Sequence, residues 1–185
     1  MFLFLIPLVI GFIFNLASAL TTVFSRRWGY RRGTLITVIL RNILGIPVWA
    51  IGFGLAARTQ SQLLFSRMLV TDLIGLFLIM AGGLIILIAL VAIRARAVAP
   101  STRDHLVRES IYAHVRHPIH TGVFLEFAGL FLLKPTQSIA VACVLGIIWV
   151  LVQTRLEEYD LLQRLPNYRE YMNQVPCFLP RLRRN

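Results

Sequence analysis

Long apolar stretches alternate with short segments rich in arginine along the whole of this chain. An apolar stretch of about 20 residues is long enough to cross the hydrocarbon core of a bilayer as a helix. The pattern therefore predicts an all-α fold, an integral membrane bundle of about five transmembrane helices in a single domain, residues 1–185. The predicted spans are residues 1–24, 34–57, 68–93, 121–134 and 137–154.

Two of the predicted spans depart from a regular apolar helix. The second contains Arg41, Asn42 and Pro47, so we expect an irregular helix there. The fourth is short for a full crossing and includes Glu126, so we expect the residues before it to lengthen it or its neighbours to shield it. Lys134-Pro135-Thr136 is the only break in the sequence before residue 137, which predicts a tight hairpin.

Composition and charge exclude a soluble protein. Hydrophobic residues make up 57% of the chain and charged residues 15%, whereas soluble domains carry about 25% charged residues. The arginines concentrate in alternate loops, which predicts an N-terminus outside and a third loop and C-terminus in the cytoplasm. The net charge of +11 follows from this bias. It indicates contact with anionic membrane lipid and not with nucleic acid. The pattern predicts no particular oligomeric state.

The N-terminus and the cysteines each have a second interpretation. Residues 17–19, Ala-Ser-Ala, resemble a signal-peptide cleavage site, but no basic residue precedes the apolar run, which favours an uncleaved first helix. Cys143 and Cys177 are isolated in sequence. They predict neither a disulfide framework nor a metal site.

The segment after the last span has an amphipathic pattern and predicts a cytoplasmic cap. Asp160 and Arg164 are spaced to pair at the helix surface. Pro166 is expected to end or restart the helix. Tyr168 and Tyr171 belong to an aromatic, apolar string that suits the membrane interface.

Two polar clusters stand at the same end of the predicted hairpin. Residues 115–122, Val-Arg-His-Pro-Ile-His-Thr-Gly, open the fourth span, and Glu157-Glu158 follow the fifth. Acids at the end of an apolar helix cost stability unless they face water, a cation or a ligand. The pair is therefore either a solvated helix end or a site for a ligand with hydroxyl groups or positive charge.

The first cluster has features of a binding site. Pro118 suits the first turn of a helix, where free N–H groups can bind an acceptor or an anion. Gly122 allows another backbone to approach closely. His114, His117 and His120 are spaced by three, which raises the possibility of a metal. Pro118 disfavours a regular helix through all three, so the sequence predicts no metal site.

Two acids fall within predicted spans, where such residues face the bundle interior by default. Glu126 lies one turn beyond Gly122, so we expect it to line the same cavity; the alternative is a hydrogen bond between helices. Asp72 lies near the end of its span, where a polar side chain can reach the interface.

The two clusters, together with Tyr168-Arg169-Glu170-Tyr171 and Val175-Pro176-Cys177-Phe178-Leu179-Pro180, resemble the isoprenylcysteine carboxyl methyltransferase family. Related phospholipid N-methyltransferases share much of the pattern. The resemblance covers about residues 110–182 and implies an integral membrane enzyme that uses S-adenosyl-L-methionine, in which residues 94–185 supply a cofactor-binding loop, the hairpin and the cap. The implied cofactor contacts are Arg116, His117, His120, Gly122, Glu157 and Glu158.

The chain departs from the family pattern at two places. His120 stands where the family usually has tyrosine, and Leu165-Pro166 stands where Phe-Gly is common. A phenol and an imidazole both offer an aromatic face and a polar tip. The first change therefore alters one expected cofactor contact, and the second alters the turn before Tyr168.

The expected reaction is methyl transfer to a lipophilic acceptor. For a carboxylate, as in an isoprenylcysteine-like substrate, Arg155 or Arg116 could orient the oxygen. For an amine, as in a phospholipid headgroup, Glu126 could take the proton. Carboxyl O-methylation is our first expectation and phospholipid N-methylation the alternative.

Two other functions are weighed against this one. Membrane sterol reductases resemble the same region and bind NADPH there, although Glu157 and Glu158 would repel a cofactor rich in phosphate. A membrane protein that keeps the pocket without catalysis is the other alternative, because a fold does not guarantee a function.

Overall fold

The computed structural model describes residues 2–94, 102 and 104–181. The predicted orientation also depends on four arginines that lie outside the described residues: Arg96, Arg103, Arg183 and Arg184. The helices are α1 (Leu5–Ser18), α2 (Thr21–Trp28), α3 (Tyr30–Val38), a π-helical segment (Ile39–Gly45), α4 (Ile46–Arg58), α5 (Leu69–Ile93), a 3₁₀ turn (Ser110–Ala113), α6 (Pro118–Leu133), α7 (Gln137–Arg164) and α8 (Tyr168–Gln174).

The all-α membrane bundle is confirmed, and the count of five spans holds only loosely. Among the described residues, three helical stretches are long and apolar enough to cross a membrane: Tyr30–Arg58, Leu69–Ile93 and Gln137–Arg164. The pair α1 and α2 makes a fourth if counted as one broken span. The shorter helix α6 begins at Pro118, so motif residues do lengthen the fourth predicted span, and a tight connection to α7 follows.

The first predicted span is broken where a single helix was expected. The chain bends by 64° between α1 and α2. The Ser18 hydroxyl donates to the Asn15 carbonyl at 2.6 Å, and Leu20 leaves the helical backbone region with ψ 48°. The N–H of Thr22 then donates to a carboxylate oxygen of Asp160 at 2.7 Å. A polar contact with the distant helix α7 thus accompanies the break in this otherwise apolar segment.

The second span is irregular, as predicted. Its middle, Ile39–Gly45, is π-helical, and Pro47 lies two residues beyond in α4. Proline lacks the N–H that an α-helix would use and clashes with the carbonyl four residues before it. The wider π-helical turn, which is frequent at functional sites, accommodates this without ending the helix.

Glycines bring α5 and α6 into close contact. A Cβ atom added at Gly122 would lie 2.6 Å from the carbonyl oxygen of Gly82, and one at Gly129 would lie 2.5 Å from that of Gly75. Small residues at such positions let membrane helices approach through their backbones. The tight α5–α6 pair fixes the position at which the motif enters the bundle.

Aromatic side chains join the remaining helices. Phe12 of α1 stacks on Trp149 of α7 with ring centroids 4.8 Å apart, and Phe53 of α4 stacks on Phe127 of α6 at 5.1 Å. Trp49 contacts both Phe12 and Trp149. Such pairs contribute about 0.5–1.5 kcal/mol each beyond area burial. They close the centre of the bundle.

The C-terminal segment differs from its predicted surface character. Helix α7 continues to Arg164, and Pro166 lies just beyond its end. The Asp160–Arg164 pair forms at 3.0 Å, but Asp160 is buried. Tyr168 and Tyr171 are buried against each other and Val175, and do not lie exposed at an interface. The cap is a small core of its own because its aromatic rings fold over the end of α7.

Candidate functional site

The C-terminal tail runs across the start of the motif. The backbone N–H groups of Arg116 and His117 donate to the carbonyls of Pro176 and Cys177 at 2.9 and 3.0 Å. The Thr121 hydroxyl also donates to a tail carbonyl at 2.8 Å. These bonds fix the motif backbone immediately before Pro118 begins α6, so the tail is part of the site's construction.

The Arg116 side chain ties the motif, α7 and the tail together. Its Nε and Nη2 atoms donate to Oε1 of Glu158 at 3.1 and 2.9 Å. Its Nη1 atom donates to the carbonyls of Met172 and Val175, both at 2.7 Å. Most of the five donors of the guanidinium are thus used within the protein. We interpret Arg116 as a positioning residue for Glu158 and the cap.

The two adjacent glutamates have different surroundings, as their angular separation on a helix predicts. Glu158 is buried between Arg116 and His117, whose Nε2 lies 3.3 Å from its Oε1. The side chain of Glu157 remains 34% exposed and lines a cavity. Glu158 is therefore held by protein groups, and Glu157 is available to a ligand.

Glu157 is approached by polar groups of three residues. Nδ1 of His117 lies 3.6 Å from its Oε2, and Nε2 of His120 lies 3.9 Å from its Oε1. The amide of Gln153 donates to Oε1 at 2.8 Å. His120 also forms a 2.8 Å hydrogen bond through Nδ1 with the Thr154 hydroxyl. The carboxylate is thereby oriented while one side stays open to the cavity.

The pKa of His117 reflects competing influences. Burial by itself would lower it, but hydrogen bonds with Glu157 and Glu158 and the negative charges of these residues raise the pKa above its ordinary value. A protonated imidazole here has one N–H group toward each glutamate, at 3.3 Å from Glu158 and 3.6 Å from Glu157. His117 thus connects the buried carboxylate to the one that faces the cavity.

A cavity of about 380 Å³ opens between this cluster and the N-terminal helices. Its wall includes the polar side chains of His117, His120 and Glu157 and the aromatic rings of Trp49 and Trp149. Its volume falls in the usual range for small-molecule sites. Further lining residues are Asn15, Arg41, Asn42, Ile46, Leu90 and Ile93.

Three residues in the cavity wall carry buried polar atoms without a hydrogen-bond partner. These atoms are Nε1 of Trp49, Nε1 of Trp149 and Oε1 of Gln153. The amide nitrogen of Gln153 donates to Glu157, which identifies the other atom as the oxygen. Buried polar groups are normally paired, and each exception calls for an explanation. Two spare donors and one spare acceptor fit a polar ligand.

Three residues that the sequence proposed for the site do not line this cavity. Gly122 packs on the backbone of Gly82, and Glu126 lies half-buried along the same α5–α6 contact. The Arg155 side chain is 83% exposed, with Nη1 3.7 Å from Oε2 of Glu158. The assignments of Gly122 to the cofactor and of Glu126 and Arg155 to catalysis stay predictions, and the cavity wall offers them no support.

The sequence analysis missed the contribution of the N-terminal half. Arg41 and Asn42 lie in the π-helical segment and line the cavity, as do Asn15 and Trp49. An arginine within an apolar span is a signal in itself, because such a residue is costly in lipid and usually functional. In the sequence, Arg41 predicted only an irregular helix.

Two groups of potential metal ligands occur among the described residues. One comprises His117, Glu158 and Cys177, and the other His117, His120 and Glu157, with the ligand atoms of each group within 4.8 Å of one another. Arg116 already compensates the charge of Glu158. The rings of His117 and His120 stack in parallel and so do not converge on one point. Both arrangements disfavour a cation.

Comparison with known families supports the resemblance seen in the motifs. Residues 73–163 match the model of the isoprenylcysteine carboxyl methyltransferase family. The resemblance predicted from the sequence is thus confirmed over that segment, which contains α6 and nearly all of α5 and α7. No solved structure matches the chain.

Three curated relatives match part of the chain. The methanethiol S-methyltransferase of Pseudomonas deceptionensis is 36% identical over 78 residues, which cover 40% of this chain and 28% of the relative. The nickel-cobalt-cadmium resistance protein NccN of Alcaligenes xylosoxydans xylosoxydans is 31% identical over 42% of this chain and 37% of its own length. The cobalt-zinc-cadmium resistance protein CzcN of Cupriavidus metallidurans is 34% identical, with 42% and 36% covered. The matches thus span about a third of these relatives.

Proposed function

We propose that this protein, an integral membrane bundle whose residues 73–163 carry the isoprenylcysteine carboxyl methyltransferase pattern, is an S-adenosyl-L-methionine-dependent methyltransferase for a lipophilic acceptor. The observation that carries the proposal is the composition of the cavity. Its wall combines polar side chains of the motif and Glu157 with apolar and aromatic side chains of the membrane helices. A polar cofactor and an apolar acceptor can therefore meet in one site.

The cavity residues suit the chemical groups of the cofactor. Its ammonium and ribose hydroxyls require acceptors, which Glu157 and the spare oxygen of Gln153 supply. Its adenine requires an apolar, aromatic surface with a few polar contacts, which Trp149 and the buried His120 provide. We assign Glu157, His117 and His120 to cofactor binding, with Glu158 and Arg116 holding them in place.

The chemistry requires little from the protein beyond positioning. The bound cofactor supplies a methyl group already activated by the sulfonium centre. The protein must align donor and acceptor and exclude water, and positioning of this kind can supply a large part of a rate enhancement. The tail across the motif and the aromatic rings of the cavity wall shield the site from water.

The acceptor is proposed to enter sideways from the lipid. Ile46 of α4 and Leu90 of α5 both line the cavity, and they are 42% and 38% exposed. Helix α4 packs chiefly on α1, and α5 packs on α6. Entry between α4 and α5 would bring an apolar tail along these two residues while the polar head reaches the cofactor.

A carboxylate is our first choice of acceptor head, because the tail motif most resembles the carboxyl methyltransferases. A thiol is the second candidate, supported by the similarity to a protein named methanethiol S-methyltransferase. Phospholipid N-methylation is a weaker alternative. An NADPH-dependent reductase is disfavoured, because the open carboxylate of Glu157 would repel phosphate.

The first experiment is a binding titration of the purified protein in detergent. We expect S-adenosyl-L-methionine and its demethylated product to bind at micromolar concentrations, and NADPH not to bind. Binding of NADPH without S-adenosyl-L-methionine would overturn the methyltransferase proposal.

The second experiment transfers label from the methyl donor to a panel of acceptors. The panel comprises prenylcysteine analogues, aminophospholipids and alkyl thiols of increasing chain length. Base-labile label on the prenylcysteine supports a carboxyl ester, whereas stable label on a thiol or an amine moves the enzyme to that acceptor. Label only on water-soluble acceptors would contradict entry from the lipid.

A further inference from the structure

The π-helical segment places an arginine in the cavity wall. Arg41 and Asn42 are consecutive, and both line the cavity. Consecutive residues of an α-helix point about 100° apart, and the wider π-helical turn brings their directions closer. The Nε atom of Arg41 donates to the side-chain oxygen of Asn42 at 3.1 Å. The irregular helix thus presents a guanidinium held by its neighbour.

Among the described residues, the arginines that line the cavity come from three parts of the fold: Arg41, Arg116 and Arg164. Arg116 is bound to Glu158. Arg164 is bound to Asp160 at 3.0 Å, at the end of α7. Arg41 lies in a different helix, and its charge is close enough to interact with that of Glu157. A positive and a negative side chain from different helices therefore line the same cavity and interact through their charges.

We propose that Arg41 is a cofactor-binding residue that holds the α-carboxylate of S-adenosyl-L-methionine, while Glu157 holds the α-ammonium. The proposal rests on the proposed function. The two ligand groups sit on one carbon atom, so a site for them needs opposite charges close together, as Arg41 and Glu157 supply. The planar guanidinium fork matches a carboxylate better than an ammonium does. The arginine in an apolar span thereby acquires a function.

The test compares one ligand that has this carboxylate with two that lack it. The ligands are S-adenosylhomocysteine, its decarboxylated analogue, which keeps the amine, and 5′-methylthioadenosine, which lacks the whole amino-acid portion. Binding to the wild-type protein in detergent is measured by calorimetric titration. We expect removal of the carboxylate to weaken binding by about 10- to 100-fold, the range for a charge-assisted hydrogen bond.

The variants Arg41→Gln and Arg41→Lys test the protein side of the same contact. We expect Arg41→Gln to weaken S-adenosylhomocysteine by about 10- to 100-fold and to leave the two ligands without a carboxylate within about 2-fold. Arg41→Lys keeps the charge but loses the fork, so its loss should be intermediate. Arg58→Gln is the control, because it removes the same charge from an exposed position in the same helical stretch.

Several results would overturn the assignment. Arg41→Gln could bind S-adenosylhomocysteine as the wild type does, or could weaken all three ligands equally. A loss of affinity confined to the acceptor would move Arg41 to the acceptor's head group. If Arg41→Gln is unstable by thermal unfolding, Arg41→Lys and the wild-type ligand series decide the question. Failure of the wild type to bind any of the three ligands would instead contradict the proposed function.

Discussion

The two walls of the cavity are built on different principles. The motif wall, formed by α6, α7 and the C-terminal cap, is held by a dense set of protein hydrogen bonds around Arg116 and Glu158. The N-terminal wall, formed by α1, the π-helical segment and α4, carries Arg41 and the partnerless indole nitrogen of Trp49. A recognisable motif lies only in the first.

This difference separates stability from ligand binding. Motif residues whose polar atoms are used within the protein should act mainly on folding when they are changed. Glu157, whose carboxylate faces the cavity, should act mainly on affinity when it is changed. The adjacent Glu157 and Glu158 fall on opposite sides of this division, and a position's membership of the motif does not tell which effect it will have.

The largest effect is expected at the centre of the motif wall. Arg116→Ala leaves the buried carboxylate of Glu158 and two tail carbonyls without their donor, and breaking a buried pair in this way costs about 3–5 kcal/mol. The free energy of unfolding in detergent measures the loss. The control Arg169→Ala changes an exposed arginine of the cap and should stay within about 0.5 kcal/mol of the wild type. Equal effects at both positions would contradict the role of Arg116 in joining the motif, α7 and the tail.

The two glutamates provide the sharpest contrast. Glu157→Gln should reduce the affinity for S-adenosylhomocysteine by about 1.5–3 kcal/mol, the cost of one charge-assisted hydrogen bond, with little change in stability. Glu158→Gln should instead lower the free energy of unfolding, because Arg116 and His117 depend on it. Titration calorimetry and thermal unfolding of both variants make the comparison. An interchange of the two outcomes would refute the assignment of Glu158 to stability and Glu157 to ligand binding.

Gly122 tests whether a residue of the motif acts by packing alone. The added methyl of Gly122→Ala would meet the Gly82 carbonyl at 2.6 Å, and overpacking of this kind typically costs about 1–3 kcal/mol. Gly54→Ala is the matched control, since nothing lies within 4 Å of its added Cβ. We expect thermal unfolding to separate the two variants and the folded fraction of each to bind cofactor normally. A specific loss of affinity in Gly122→Ala would return this glycine to the cofactor site.

The smallest effect is expected from pH. The raised pKa of His117 means that its protonated form, bound to Glu157 and Glu158, is favoured in the folded state. That stabilisation is fully present below the ordinary histidine pKa of about 6.5 and is lost as pH rises through the folded-state value. Unfolding measured between about pH 5.5 and 8.5 should show this decline. His117→Gln should flatten it, and an unchanged slope would exclude His117 as its origin.

Local features of the sequence predicted the helical framework well. The lengths of the apolar stretches predicted α5 and α7. The short break before Gln137 predicted the hairpin of α6 and α7. Proline predicted the start of α6 and the irregularity of the second span. These predictions held because hydrophobic transfer and proline stereochemistry act within a few residues of chain.

The same reasoning failed where a contact between residues far apart in the sequence decides the local structure. The bend after Ser18 depends on Asp160, and the burial of Tyr168 depends on the cap that folds over α7. Arg155 was a reasonable candidate because it is a cation beside two acids, yet its side chain points outward. Helical spacing alone could not show this, since it gives the angle between neighbours but not which face meets the bundle.

The sequence by itself determined that this is a helical membrane protein with a polar motif and an acidic pair at one end of a hairpin. Those properties follow from composition and from the order of residues along the chain. Only the tertiary structure decided that Glu158 is bound by Arg116 while Glu157 faces a cavity, and that Arg41 from a helix without any motif lines the same cavity. Such assignments depend on how helices far apart in sequence pack together, and hydrogen bonds formed there consume some polar groups and leave others for a ligand.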